Sequence, residues 1–180
     1  MELRLDGKVA LVTGASRGIG RAIAGAMADA GASVMLSSRK ADDLDVAVAE
    51  IGGDTASFAA NAGDPDAAAA CVAATVERFG SVDVLVNNAA TNPYMGAAID
   101  IDLPRWDKTF EVNLRGLFVW SQEAWRASLA RKSAALAMSA GSPSRPVGRC
   151  RPNASSLPSQ RARAMSVLTS PGAIAFTRTP

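Results

Sequence analysis

Between an apolar run, Lys8–Val12, and a stretch of small apolar residues at helical spacing, Gly18–Ala30, the chain reads T-G-A-S-R-G-I-G over Thr13–Gly20. A strand that stops at glycine and passes at once into a helix commits the chain to a sheet with a helix laid on its face. Glycines at this turn let the backbone bend tightly and approach a pyrophosphate, whose charge meets the free N–H groups of a helix N-terminus. The spacing is G-x-x-x-G-x-G rather than G-x-G-x-x-G, but the strand–turn–helix context is the one a phosphate loop requires. The plain alternative is a glycine-rich turn with no ligand.

The same alternation continues. Ser33–Ser37 reads as a second strand, Ala41–Ile51 as a helix stopped by Gly52-Gly53, and Thr55–Ala60 as a third strand. Asp64-Pro65 opens a helix through Phe79, with proline in its first turn. Val82–Val86 is a fourth strand, ending at Asn87-Asn88-Ala89-Ala90. Short strands alternating with helices predict βαβ units, and right-handed crossovers make the sheet parallel and doubly wound. One long amphipathic helix is expected from Pro104 to about Arg131, with Trp106, Phe110, Leu114, Leu117, Phe118, Ser121 and Trp125 along one face. Ala134–Ser139 reads as a fifth strand, and beyond it the periodicity stops.

Charge divides the chain. All 17 acidic residues lie at or before Glu123, whereas Ala124–Pro180 holds nine of the 19 basic residues, six of the nine prolines and ten serines. The expected fold is therefore an α/β, Rossmann-like doubly wound parallel sheet, truncated, with an irregular basic C-terminal tail. The division falls into a Rossmann-like domain at 1–131 and an Arg/Pro/Ser-rich tail at 132–180. Cys71 and Cys150 form no CxxC pair and no disulfide framework, which points to a reducing compartment. The apolar run Val9–Val12 is too short for a signal peptide or a membrane span, so the expectation is a cytoplasmic protein without membrane attachment.

Three motifs in order, TGASRGIG at Thr13–Gly20, NNAA at Asn87–Ala90 and VNLRG at Val112–Gly116, resemble those of the short-chain dehydrogenases/reductases. The resemblance runs from about Leu5 to Arg126. It implies an oxidoreductase that moves a hydride between a nicotinamide dinucleotide and a small carbonyl or alcohol compound. It also implies cofactor contacts at Gly14, Ser16, Arg17, Gly18, Ile19, Gly20, Asn61, Asn88, Ala89 and Ala90, with no metal. Asn113 corresponds to the asparagine of the family's catalytic tetrad, which helps hold a water in a proton relay. The end of the second strand reads Ser37-Ser38-Arg39-Lys40, where an acid would bind the ribose hydroxyls of NAD(H). With Arg17 and Arg39 placed to clamp a 2′-phosphate, NADP(H) is expected over NAD(H). The plain alternative is a solvated helix start.

The tail departs from the family. Its chemistry needs a tyrosine to pass the proton, a lysine four residues later to lower that tyrosine's pKa from about 10, and a serine to orient the substrate oxygen. Ser139 or Ser142 falls where the serine belongs, but Pro152 and Ser156 stand where the tyrosine and lysine should be. The sole tyrosine is Tyr94, the last lysine is Lys132, and the chain has no histidine. Pro152 and Pro158 also interrupt the helix that in the family carries the Tyr and Lys and joins the Pro104–Arg131 helix in a subunit interface. The family is usually homo-oligomeric, and that interface helix is missing here. Three readings of the tail follow. It is the frame-shifted end of an ordinary reductase, a basic arm for nucleic acid or an acidic partner, or part of a non-catalytic NADP(H)-binding pseudo-enzyme. The first is preferred, because GC-rich DNA read out of frame yields arginine, alanine, proline and serine. Nucleic-acid binding is the least expected, because the tail lacks stacking aromatics beyond Phe176.

Overall fold

A computed structural model describes residues 4–140, with side-chain environments through Ser128. Four strands, β1 (Val9–Thr13), β2 (Ser33–Ser38), β3 (Thr55–Ala59) and β4 (Val84–Val86), form one sheet in the order β3-β2-β1-β4. All three pairings are parallel, with Leu11 opposite both Met35 and Leu85. The crossovers are α1 (Gly18–Asp29), α2 (Ala41–Ile51) and α3 (Pro65–Phe79). The sequence reading placed these elements to within one or two residues. Each boundary has a local cause. Asp64 accepts from the N–H groups of Asp66 and Ala67 ahead of Pro65, and Gly80 ends α3 in the left-handed region at φ 84°.

The period-2 alternation of buried strands distributes the core over two layers. Ala10, Val12, Val34 and Leu36 pack with Ala24, Leu44 and Ala47 on the α1/α2 face. Leu11 and Met35 face the other way, onto Ala68, Cys71 and Val72 of α3 and onto Trp120 and Ala124. Every residue of β1 is buried, as expected for a central parallel strand covered on both faces. The three residues of β4, which pairs only with β1 among the described strands, are half-buried.

The expected single helix after Pro104 is three joined segments. Helix α4 (Leu103–Phe110) is capped by the Asp102 carboxylate, which accepts from Arg105 N at 2.9 Å. A π-helical turn follows at Glu111–Gly116, and α5 (Leu117–Ala140) completes the run. The inserted turn shifts the face that meets the core. Val112, Gly116, Trp120 and Ala124, spaced by four, are buried, whereas Trp106, Phe110, Leu114, Leu117, Phe118 and Trp125 are exposed. The expected apolar face thus lies open, and a stripe of smaller residues around one tryptophan makes the contact.

The expected fifth strand at Ala134–Ser139 is instead the last part of α5. The reason is propensity: from Arg126 to Ala140 there is no glycine, proline or β-branched residue, and Ala, Leu, Met, Lys and Arg favour a helix. Helix α5 therefore passes through residue 131. The positions expected for the tyrosine and lysine, and both interrupting prolines, lie outside the described residues.

Candidate functional site

The site is built where the strand order reverses, between β1 and β4, which is where open α/β sheets form a ligand crevice. Thr13, at the end of β1 and only 3% exposed, joins the two strands. Its hydroxyl donates to the Val86 carbonyl at 3.2 Å and accepts the N–H groups of Asn88 and Ala89, both at 3.1 Å. The Asn88 amide then donates to the carbonyls of Thr13 at 2.9 Å and Gly14 at 3.1 Å. The NNAA segment thereby fixes the floor of the glycine turn. Two glycines are required for contact reasons. A Cβ on Gly14, which has φ 67°, would stand 2.9 Å from Ala89 Cα, and one on Gly20 would stand 2.3 Å from the Gly14 carbonyl oxygen.

Above this floor opens a cavity of about 530 Å³ whose lining includes every cofactor residue expected from the sequence, from Gly14 through Arg39 and Asn61 to Ala90. Helix α1 starts at its edge. Arg17 occupies the N-cap position in extended conformation and makes no side-chain cap bond, so the first-turn N–H donors remain available to an anion. Ser38, at the end of β2, donates to the Ser16 hydroxyl at 3.0 Å, tying that strand end to the loop. Beyond it Arg17, Arg39 and Lys40 line the cavity, exposed and without an ion-pair partner among the described residues. Asp43 is the acid on that wall. A glycine cradle at a helix N-terminus, followed by unpaired cations, suits an anionic ligand such as the diphosphate of a dinucleotide.

On the rest of the lining, Lys108 and Trp120 were not expected as cavity residues, whereas Asn61 was and Val112 belongs to the VNLRG motif. Lys108, Val112 and Trp120 line the cavity together with Ala60, Asn61 and Ala62. The Trp120 indole N–H donates to the Ala62 carbonyl at 3.2 Å, and Arg115 reaches the Gly63 carbonyl at 3.4 Å. A Cβ on Gly116 would stand 2.4 Å from the Ala62 carbonyl oxygen, so the π turn can pack here only with glycine. The available signal was the four-residue spacing Val112–Gly116–Trp120, which competed with a more apolar face of the same helix.

Asn113 stands outside the cavity lining. Its side chain is held by Thr91, which does line it: Oδ1 accepts the Thr91 N–H and Nδ2 donates to the Thr91 carbonyl. Ser139 sits on α5 rather than at a strand end, beyond the described side chains, and Ser142 lies outside the described residues. Tyr94 is not a lining residue; its hydroxyl packs over Gly96, at 2.5 Å from where a Cβ there would be. Cys71 is buried against Ser37 and Thr75, and burial pushes its thiol from 9.0 up to about 11. That keeps it protonated and unreactive at neutral pH. Among the described residues no cluster of three or more His, Cys, Asp or Glu side chains could hold a metal, and no helix is long and apolar enough to cross a membrane.

Comparison with known proteins agrees with this geometry. The sequence profile described as short chain dehydrogenase matches residues 8–142. Versicolorin reductase 1 of Aspergillus parasiticus is 43% identical over 127 residues, which is 68% of this chain and 48% of that protein. D-threitol dehydrogenase of Mycolicibacterium smegmatis is 40% identical over 124 residues, covering 67% and 47%. The crystal structure of a short chain dehydrogenase from Burkholderia cenocepacia in complex with NADP superimposes with a TM-score of 0.65 at 41% identity, covering 69% of this chain and 52% of that one. The chain thus spans about half the length of the relatives it matches.

Proposed function

The chain belongs to the short-chain dehydrogenase family, and from that premise we propose that it binds NADP(H) in the cavity over β1 and β4 but does not transfer hydride. The observation that carries the cofactor assignment is the trio Arg17, Arg39 and Lys40, unpaired among the described residues on the wall where an acid would favour NAD(H). Three exposed cations facing one cavity repel one another, and a 2′-phosphate supplies the anion that would join them. The NADP complex of the Burkholderia relative supports the same reading.

When bound, the nicotinamide would supply or accept the hydride of a carbonyl reduction or alcohol oxidation, the reaction class that the family resemblance implies. The residues of this chain would do the holding. The first-turn N–H groups of α1 would take the diphosphate, Asn88 would brace the loop, and Ala89 and Ala90 would leave room beside it. Asn113 would belong to the proton relay. The chain supplies no Tyr-x-x-x-Lys to drive that relay, and the described tyrosine is turned onto Gly96. Residues 1–131 would form the binding domain, in a cytoplasmic setting, and 132–180 a tail read in a shifted frame.

The test is direct titration of the purified chain. Quenching of tryptophan fluorescence, to which the cavity residue Trp120 contributes, should show NADPH binding at least about tenfold tighter than NADH, the equivalent of about 1.4 kcal/mol. No cofactor oxidation should follow with small aldehydes and ketones. Equal or tighter NADH binding would overturn the cofactor preference, and turnover would overturn the defect. The shifted frame is tested separately by the gene: an alternative frame across codons 125–180 should encode Y-x-x-x-K.

A further inference from the structure

The cavity contains a fourth cation that differs from the other three. Lys108 reaches it from the last turn of α4, and its ammonium is held at 2.7 Å by the carboxylate of Glu111 in the π turn. Glu111 in turn lies against Gly63, where an added Cβ would stand 2.3 Å from its Oε1. Gly63 N donates to Asn61 Oδ1 at 3.2 Å, so Glu111 and Gly63, which do not line the cavity, connect the lining residues Lys108 and Asn61 from behind. The end of β3 lies two strands away from β1, which runs into the glycine turn.

The polar groups there are unequally spent. The Ala62 carbonyl is taken by Trp120, the Gly63 carbonyl by Arg115, and Asn61 Oδ1 by Gly63 N. Donors remain: the Asn61 amide N–H groups and two of the three ammonium protons of Lys108. The side-chain groups left free on the lining residues Asn61 and Lys108 are donors, and donors select a ligand edge that offers acceptors. Lys108 is also pre-positioned, because Glu111 restrains a side chain that would otherwise lose much rotamer freedom on binding. The ring nitrogens of adenine are such acceptors.

Resting on the dinucleotide reading above, we propose that Lys108 is a further cofactor-binding residue, donating from its ammonium to a ring nitrogen of the adenine. Glu111 is its positioning partner. The charge thus reads the base and leaves the 2′-phosphate to Arg17 and Arg39.

The test compares the full chain with Lys108→Met, which keeps the stem of a half-exposed side chain, after thermal unfolding has shown that the fold is retained. Calorimetric titration should show ADP-ribose binding about tenfold weaker in the variant, and NADPH and NADH weakened by the same factor. The wild type should also prefer ADP-ribose over its 1,N6-etheno analogue, whose bridged N1 cannot accept, and the variant should narrow that gap. Unchanged ADP-ribose affinity would overturn the proposal, leaving Lys108 as a solvated ion pair. A loss confined to NADPH would also overturn it, by making Lys108 a phosphate contact. If the wild type bound neither NADPH nor ADP-ribose, the dinucleotide reading itself would fall; ADP-ribose binding with a null effect of Lys108→Met removes only the present assignment.

Discussion

Asn113 and Thr91 hold each other by two hydrogen bonds of 2.8 Å each, the Asn113 amide pairing with both the N–H and the carbonyl of one residue's backbone. The π turn presents Asn113 to the loop after β4, and Thr91 carries the contact into the cavity wall. The pair is exposed, so each bond is worth about 0.5–1.5 kcal/mol. Asn113→Ala should therefore lower unfolding stability by about 1–2 kcal/mol. Asn113→Asp should be no better, since it sets a carboxylate against the Thr91 carbonyl. Urea midpoints check this; an unchanged midpoint for Asn113→Ala would mean that the bridge contributes nothing to the fold.

The glycine turn makes a sharper prediction because its two glycines differ. A methyl group at Gly20 meets the Gly14 carbonyl oxygen at 2.3 Å and Asn88 Nδ2 at 2.5 Å, both fixed parts of the β1–β4 junction. Gly20→Ala should cost about 1–3 kcal/mol by overpacking. It should also weaken NADPH binding by displacing the turn. At Gly18, with φ 57°, no atom lies within 4 Å of an added Cβ. Gly18→Ala should then cost about 1 kcal/mol of backbone strain and no packing. Equal losses for the two variants, by thermal or urea unfolding, would contradict this contrast.

Much of this was legible in the sequence, and the residues show why. The βα alternation through Val86 is set by local rules: apolar runs for buried strands, Asp64-Pro65 and Gly80 for the limits of α3. The glycine turn between β1 and α1 was legible because its contacts are mostly backbone and its glycines lie within seven residues. Lys108 and Trp120 in the lining were not, because Trp120 meets Ala62, and Glu111, which holds Lys108, meets Gly63, only after the chain has folded. Nor was the buried face of α5. Hydrophobicity favoured Phe110, Leu114, Phe118 and Trp125, yet the π turn rotated Trp120 inward and left those outside. Ala134–Ser139 was misread because a short apolar run has no period, and helix propensity decided it.

Arg17 and Arg39 should carry the discrimination between the two nicotinamide dinucleotides. Each lacks an ion pair among the described residues, so replacing either removes a contact to ligand without orphaning a protein charge. Arg39→Ala should weaken NADPH binding by about tenfold or more and leave NADH binding nearly unchanged, the signature of a charge-assisted contact to the 2′-phosphate. Added salt should shrink the same difference in the wild type. Parallel losses for both cofactors on titration would show that Arg39 does not touch that phosphate.

Cys71 makes the pH prediction. Burial between α3 and the sheet raises its thiol from 9.0 to about 11, with Ser37 and Thr75 partly opposing the rise. The folded state therefore holds this proton more tightly than the unfolded state. Between pH 9.0 and about 11 the unfolded chain loses it first, and stability falls as pH rises. Below pH 9.0 both states are protonated and the stability is fully present. A shift of this size corresponds to a loss of about 2–3 kcal/mol across the window. Other groups titrate there too, so the informative quantity is the difference from Cys71→Ala. That variant should be less stable at neutral pH by about 1 kcal/mol, from the lost sulfur contacts. The gap should then close and reverse by pH 11, because the variant has no thiol to ionise. Parallel pH profiles of the two proteins in urea unfolding would show that Cys71 ionises alike in both states, and that its burial does not govern the alkaline limit of the fold.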